Sequence, residues 1–229
     1  MAEHPANLLP FWTASSTGDN ATSGWTLRRH DSGSLLLPTG RIVACDPSVI
    51  SGEEEAFVRT VPPGSYPVSL VLGTDTEQAR VAAAIVRFSD ASPVSWERAR
   101  TVEDDDLEMT GYGVDSATGC FLDSSALAIV ATELETTGQW DQLIEEALEV
   151  APDDEWFSAN IPVSQSPPTN AIAFSSGFGD GLYASWFGLD SSGNAVCLVT
   201  DFEVVDTEAR RPKPPSGEAK PPSRWKFWK

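Results

Sequence analysis

The order of the predicted elements, strands first, two helices in the middle and strands again, specifies an α+β fold. It is a mostly antiparallel β-sheet or sandwich with two central helices, followed by a disordered C-terminal tail. Three observations lead there. Runs rich in Val, Ile, Leu, Ala and aromatic residues stop at clusters of Gly, Pro, Asp and Ser. The connections between neighbouring runs are too short for the crossover that parallel pairing needs. No strand-to-helix unit carries a phosphate-binding glycine loop, which argues against a nucleotide-binding α/β fold.

Residues 1–34 read as an irregular N-terminal segment, because 13–33 are mostly Ser, Thr, Gly, Asn and Asp around Trp25. Strand patterns begin at Leu35. Residues 35–37 and 41–45 flank Pro38-Thr39-Gly40, which predicts a hairpin or bend ending at Asp46-Pro47. An acidic loop at 51–55 precedes the turn Val61-Pro62-Pro63-Gly64, which launches a strand over 66–73. The alanines of 78–88 would suit a helix, but the short length and the Val-Ala-Ala-Ala-Ile-Val centre specify a strand. A further strand is expected over 94–102 with Trp96 as a core anchor, then a loop at the four carboxylates of 103–106.

After Gly111 to Asp115 the following SATGCFLD reads as turn-rich. A helix is predicted over 124–135 with Asp123 or Ser124 as N-cap. Gly138 interrupts it, and a second helix over 139–150 aligns Trp140, Leu143, Ile144, Ala147 and Leu148 on one face before Pro152. The remaining strands are predicted at 156–163, 171–175, 182–189 and 195–205, the last two joined by a tight turn at 190–194. One domain therefore covers 35–207. From 208 to 229 five prolines and no aliphatic core residues predict an extended linker ending in Arg224-Trp225-Lys226-Phe227-Trp228-Lys229.

The formal charge of −19 divides unevenly. Residues 208–229 hold seven Lys or Arg against two acids, a charge of +5, while 1–207 hold eight cationic against 32 acidic side chains, a charge of −24. Such a body repels phosphate backbones, so nucleic acid is excluded as its partner and a basic or neutral protein is expected. The terminal aromatics and cations suit contact with a membrane surface or a partner groove. Cys45, Cys120 and Cys197 are odd in number and lack CxxC spacing, which points to buried free thiols. The start MAEHPANLLPFW has no basic residues ahead of a long apolar run, and a cytoplasmic protein is expected.

RIVACDP at 41–47, PPGSYPV at 62–68, RVAAAIVRF at 80–88, GVDSATGCFLD at 113–123 and the stretch 177–202 together resemble the bacterial domain-of-unknown-function family numbered 4241. The resemblance covers about residues 35–205 and implies no activity and no catalytic residues.

The residues themselves exclude more chemistry than they nominate. His4 and His30 stand upstream of the predicted domain, which disfavours a His-assisted hydrolase or a His-rich zinc site. No P-loop, dinucleotide fingerprint or HExxH occurs. What is left is carboxylate chemistry. Asp115, Asp123, Asp180, Asp190 and Asp201 lie at turn-rich ends of predicted elements, where oxygens could converge on a divalent cation or form an acid–base pair. The plainer reading is that they cap helices and make turns. Asp180, between two glycines, stands out among them, with Tyr183 and Trp186 as pocket-lining or core aromatics and Arg80 or Arg87 as a neutralising cation. No cofactor is evident beyond a possible divalent cation. The leading expectation is a non-catalytic binding module with an acidic body and a basic tethering tail, and the alternative is a carboxylate- or metal-dependent hydrolase or ligand-processing enzyme.

Overall fold

The computed structural model describes residues 8–16, 20–22, 24–104, 110–149, 156 and 158–205. The expected tail at 208–229 lies outside them. Two antiparallel sheets and a helical layer make up the described fold. The larger sheet holds β1 (Asn20–Thr22), β2 (Trp25–Leu37), β4 (Gly64–Thr74), β5 (Ala79–Arg87), β6 (Ser95–Arg98), β7 (Tyr112–Val114), β11 (Gly181–Leu189) and β12 (Ala195–Asp201). Its order is β1-β2-β4-β5-β12-β11-β6, with β7 on β11. The smaller sheet runs β3-β8-β10-β9, from β3 (Ile42–Cys45), β8 (Thr118–Asp123), β10 (Pro168–Ser175) and β9 (Ser158–Gln165). The mostly antiparallel α+β expectation is thereby met.

Pro38-Thr39-Gly40 is the bend that passes the chain from one sheet to the other. Gly40 has φ +70°, and a Cβ there would meet the Val61 carbonyl oxygen at 1.9 Å, so only glycine fits. Between the sheets lies the main core, to which Leu35, Val68, Leu70 and Val86 contribute from the larger sheet and Phe121, Ile172 and Phe174 from the smaller. On its other face the smaller sheet packs Val43, Cys120, Leu122 and Ala171 against α2 (Leu127–Thr136) and α3 (Gln139–Glu149). Trp140, fully buried, donates its indole N–H to the Pro47 carbonyl at 2.9 Å. Asn170 ties the sheets together: its amide donates to the Ser34 carbonyl (2.8 Å) and Asn160 Oδ1 (2.6 Å), and its oxygen accepts from the Leu36 N–H (2.8 Å).

Three expectations need correction. The segment expected to be irregular up to residue 34 contains most of β2, because its polar residues alternate with Leu27, Leu35 and Leu37 on a strand whose other face is solvated. Ahead of it, α1 (Leu9–Thr13) buries Phe11 and Trp12; Arg29 donates to the Trp12 carbonyl at 2.6 Å and the Arg87 guanidinium stacks 4.2 Å from the Trp12 ring. His30 therefore belongs to the fold, exposed on β2 and edge-on to Trp156 at 4.9 Å. The SATGCFLD stretch read as turn-rich contains the central strand β8. All six residues of β8 are buried, one face on the main core and the other on the helices, so the polar–apolar alternation that marks a half-buried strand is missing.

Candidate functional site

Of the aspartates singled out in the sequence, Asp123 and Asp115 lie at opposite ends of β8, Asp115 three residues ahead of its start. Asp123, fully buried at its C-terminal end, accepts from Thr39 N (3.0 Å) and Oγ1 (2.8 Å) and from Ser125 N (2.9 Å) and Oγ (2.6 Å). It fixes the inter-sheet bend and caps the turn into α2. At the other end Asp115 and Asp180 each lie one residue beyond the paired residues Val114↔Gly181. Both carboxylates are exposed. Asp180 accepts from Ala117 N at 3.1 Å, holding a non-glycine residue at φ +55°. Asp201 is buried and accepts from Glu203 N at 2.9 Å, where the chain again turns left-handed at φ +57°. Asp190 closes the β11–β12 turn through Ser192 N (2.8 Å) and Asn194 N (2.9 Å). The Asn194 amide above all holds its carboxyl below the ordinary range.

Tyr183 is buried and donates its hydroxyl to the carbonyls of Gly179 (2.6 Å) and Ser176 (3.1 Å), which closes the 176–180 loop. Burial raises its phenol above the ordinary value, and the nearby charges of Glu203 and Asp180 push the same way. The Tyr183 ring stands edge-on to Phe202 at 5.0 Å, so it packs on the core. Trp186 is buried likewise. Arg80 lies with its guanidinium 6.0 Å from the Phe178 ring, and Arg87 stacks on Trp12 with Asp90 at 4.0 Å.

This end of the molecule depends on a residue that the sequence marked only as a turn. Asp46, 1% exposed, accepts from Ser48 N (2.9 Å), Asp115 N (2.8 Å), Ser116 N (2.8 Å) and Ser116 Oγ (2.7 Å). One buried carboxylate thereby shapes the 115–117 loop from across the sheet. Phe178 (62%) and Leu182 (47%) are exposed, and so are Asp115, Asp180 and Glu203. Leu182 pairs with Gly113, whose Cβ position is open. Among the described residues no group of three or more His, Cys, Asp and Glu could hold a metal ion. The end is an acidic, partly apolar face without a ligand cage.

A second feature is an open cleft of about 750 Å³ lined by Arg59, Arg98 and Arg100, with Phe187 at its wall. It concentrates three of the eight cationic side chains of the body, all of which are arginine. The charges are largely engaged. Arg59 grips Glu97 through two bonds (3.0 and 2.8 Å), which lowers the Glu97 carboxyl, and Arg98 donates to the Thr110 carbonyl while lying 5.3 Å from the Trp186 ring. The only signal in the sequence was the alternation Glu97-Arg98-Ala99-Arg100.

The family model described as "Protein of unknown function (DUF4241)" matches residues 35–200. The chain belongs to this family. In DUF4241 terms the match takes in the whole smaller sheet, both central helices and the larger sheet from the end of β2 onward, and it ends inside β12 just ahead of Asp201. No curated protein and no solved structure matches the chain. Among the described residues no helix is long and apolar enough to cross a membrane.

Proposed function

We propose that this DUF4241 protein is a non-catalytic binding module whose acidic end receives a cationic protein partner, with the basic C-terminal segment as a tether. The reading is carried by one observation: Asp115, Asp180 and Glu203 are exposed, as are Phe178 and Leu182, and among the described residues none of the three carboxylates is in an ion pair. Asp115 and Asp180 each lie one residue beyond the paired residues Val114 and Gly181, exposed at the same end of the β7–β11 ladder, where a cationic partner can meet both. Apolar side chains within the rim supply desolvated contact, while the carboxylates steer approach. The buried carboxylates, by contrast, are occupied in holding backbone amides and leave nothing for acid–base work. The three unbridged cysteines fit a reducing, cytoplasmic setting.

The test is titration of the full chain with a deca-lysine peptide, followed by amide NMR. Shifts confined to 113–116, 177–182 and 203, lost at high salt, support the reading. Shifts spread evenly over the surface, or none, overturn it.

A further inference from the structure

We infer that Cys45 and Cys120 are a latent disulfide, a modification site at which hydrogen peroxide staples β3 to β8. Oxidation of this pair is independent of the partner proposed above. Two observations carry it. The two residues are directly paired across the antiparallel β3–β8 ladder, so their side chains project from the same face of the smaller sheet. Their Sγ atoms are 3.6 Å apart. Opposed residues of an antiparallel pair hold their Cα atoms at about 4.5 or 5.5 Å, and both values fall in the roughly 4.4–6.8 Å that a disulfide spans. Bond formation therefore needs side-chain rotation and no movement of either strand. The third thiol does not compete. Cys197 belongs to β12 of the larger sheet and packs in a different hydrophobic cluster, whereas Cys45 and Cys120 share the one that the smaller sheet forms with α2 and α3.

Cys45, the last residue of the edge strand and 7% exposed, meets the oxidant first; Cys120, on the strand inside it, is fully buried. The Cys45 thiolate attacks one oxygen of hydrogen peroxide, the O–O bond breaks, and Cys45 becomes a sulfenic acid as hydroxide leaves. The Cys120 thiolate then attacks Cys45 Sγ, the S–O bond breaks, and a second hydroxide leaves. The two protons released by the thiols turn the hydroxides into water, so the pair gives up two electrons and two protons and the peroxide becomes two waters. A reducing thiol reverses the bond. Access sets the rate. Contact with Cys120 above all, and burial with it, holds the Cys45 thiol well above its ordinary value, so thiolate forms when the edge strand opens. The product is a staple at a vulnerable place. β3 is four residues long and stands at the edge of its sheet. The bond also lies next to Asp46, whose carboxylate holds the Asp115 and Ser116 amides just ahead of β8. Oxidation thus ties covalently the same two segments that Asp46 joins by hydrogen bonds.

The full chain is treated with millimolar hydrogen peroxide under native conditions, acid-quenched and denatured, and its thiols are counted and mapped by mass spectrometry. Free thiols should fall from three to one, Cys197, with a linked Cys45–Cys120 peptide that dithiothreitol removes. Because the pair is 75 residues apart in sequence, the oxidised chain should melt roughly 5–15 °C above the reduced one. Cys197→Ala should give the same linked peptide. Cys45→Ala and Cys120→Ala should give none and should lose the rise on peroxide treatment, which is read within each variant and so does not depend on its starting stability. No linked peptide under native conditions, one that forms only in urea, one that contains Cys197 or one that joins two chains overturns the assignment. So does a native Cys45–Cys120 bond that lowers the melting temperature, since strands placed to accept the bond are not strained by it.

Discussion

Replacing Asp46 by alanine should be the most damaging change available at the acidic end, although its own side chain is only 1% exposed. The carboxylate satisfies the backbone N–H groups of Ser48, Asp115 and Ser116 and the Ser116 hydroxyl. Each amide left without an acceptor costs about 1–3 kcal/mol when buried. These loops are partly wet, so about 1 kcal/mol apiece plus the hydroxyl and the lost charge assistance gives about 3–5 kcal/mol. That is a large share of the roughly 5–15 kcal/mol that holds a domain folded. Asp46→Asn keeps one acceptor for Ser48 and the hydroxyl but turns a donor toward the two loop amides, so it should recover about half. Asp115→Ala removes a side chain that accepts nothing and should cost less than about 0.5 kcal/mol. Urea unfolding reads all three. Trp140 is a local fluorescent reporter because its indole N–H is bonded to Pro47, the next residue. An Asp46→Ala cost under about 1 kcal/mol, or an equal cost for Asp115→Ala, would refute the view that the buried carboxylate builds the exposed acidic face.

Gly40→Ala should fail to fold or lose more than about 3 kcal/mol, because the new methyl would overlap the Val61 carbonyl at 1.9 Å on a backbone at φ +70°; expression and circular dichroism decide it. Asn170→Ala breaks the tie between the sheets and leaves Leu36 N and the Ser34 carbonyl short of partners, a loss of about 2–3 kcal/mol in the same urea assay. Cys197, pushed up to about 12 chiefly by burial, should resist a disulfide reagent until the chain unfolds. Its folded pKa is raised, so its contribution to stability is whole below the unfolded value near 8.5 and is lost as pH climbs toward 12, with a slope of up to about 1.4 kcal/mol per pH unit that Cys197→Ala should remove.

The sequence was readable wherever a strand keeps one polar face or a turn carries its own chemistry. Asp190 to Asn194 is such a turn, and the Asp123 cap is another. Even β5, with three consecutive buried alanines, was legible through its length and flanking β-branched residues. Illegibility came from two sources. The first is burial on both faces, which erased the alternation in β8 and disguised the middle of the second sheet as a loop. The second is distance along the chain. Asp46 and the amides it holds lie 69 and 70 residues apart, and nothing local to Cys45-Asp46-Pro47 reveals that its carboxylate reaches across to another segment.

The same distance argument explains why nominated aspartates parted company. Periodicity places Asp115, Asp123, Asp180 and Asp201 at element ends, but a strand has two ends, and β8 sends Asp115 to one and Asp123 to the other. Burial then sorts them by role. A buried carboxylate survives only when hydrogen bonds replace its water, so Asp46 and Asp123, each gripping backbone amides and hydroxyls, are committed to architecture. An exposed one keeps water on the oxygens it does not use and can meet a cation, as Asp115 does, and as Asp180 does with the oxygen that Ala117 N leaves free. The acidic face is thus made by the interior: Asp46 shapes the loop from beneath, and the loop presents charge that it does not itself use.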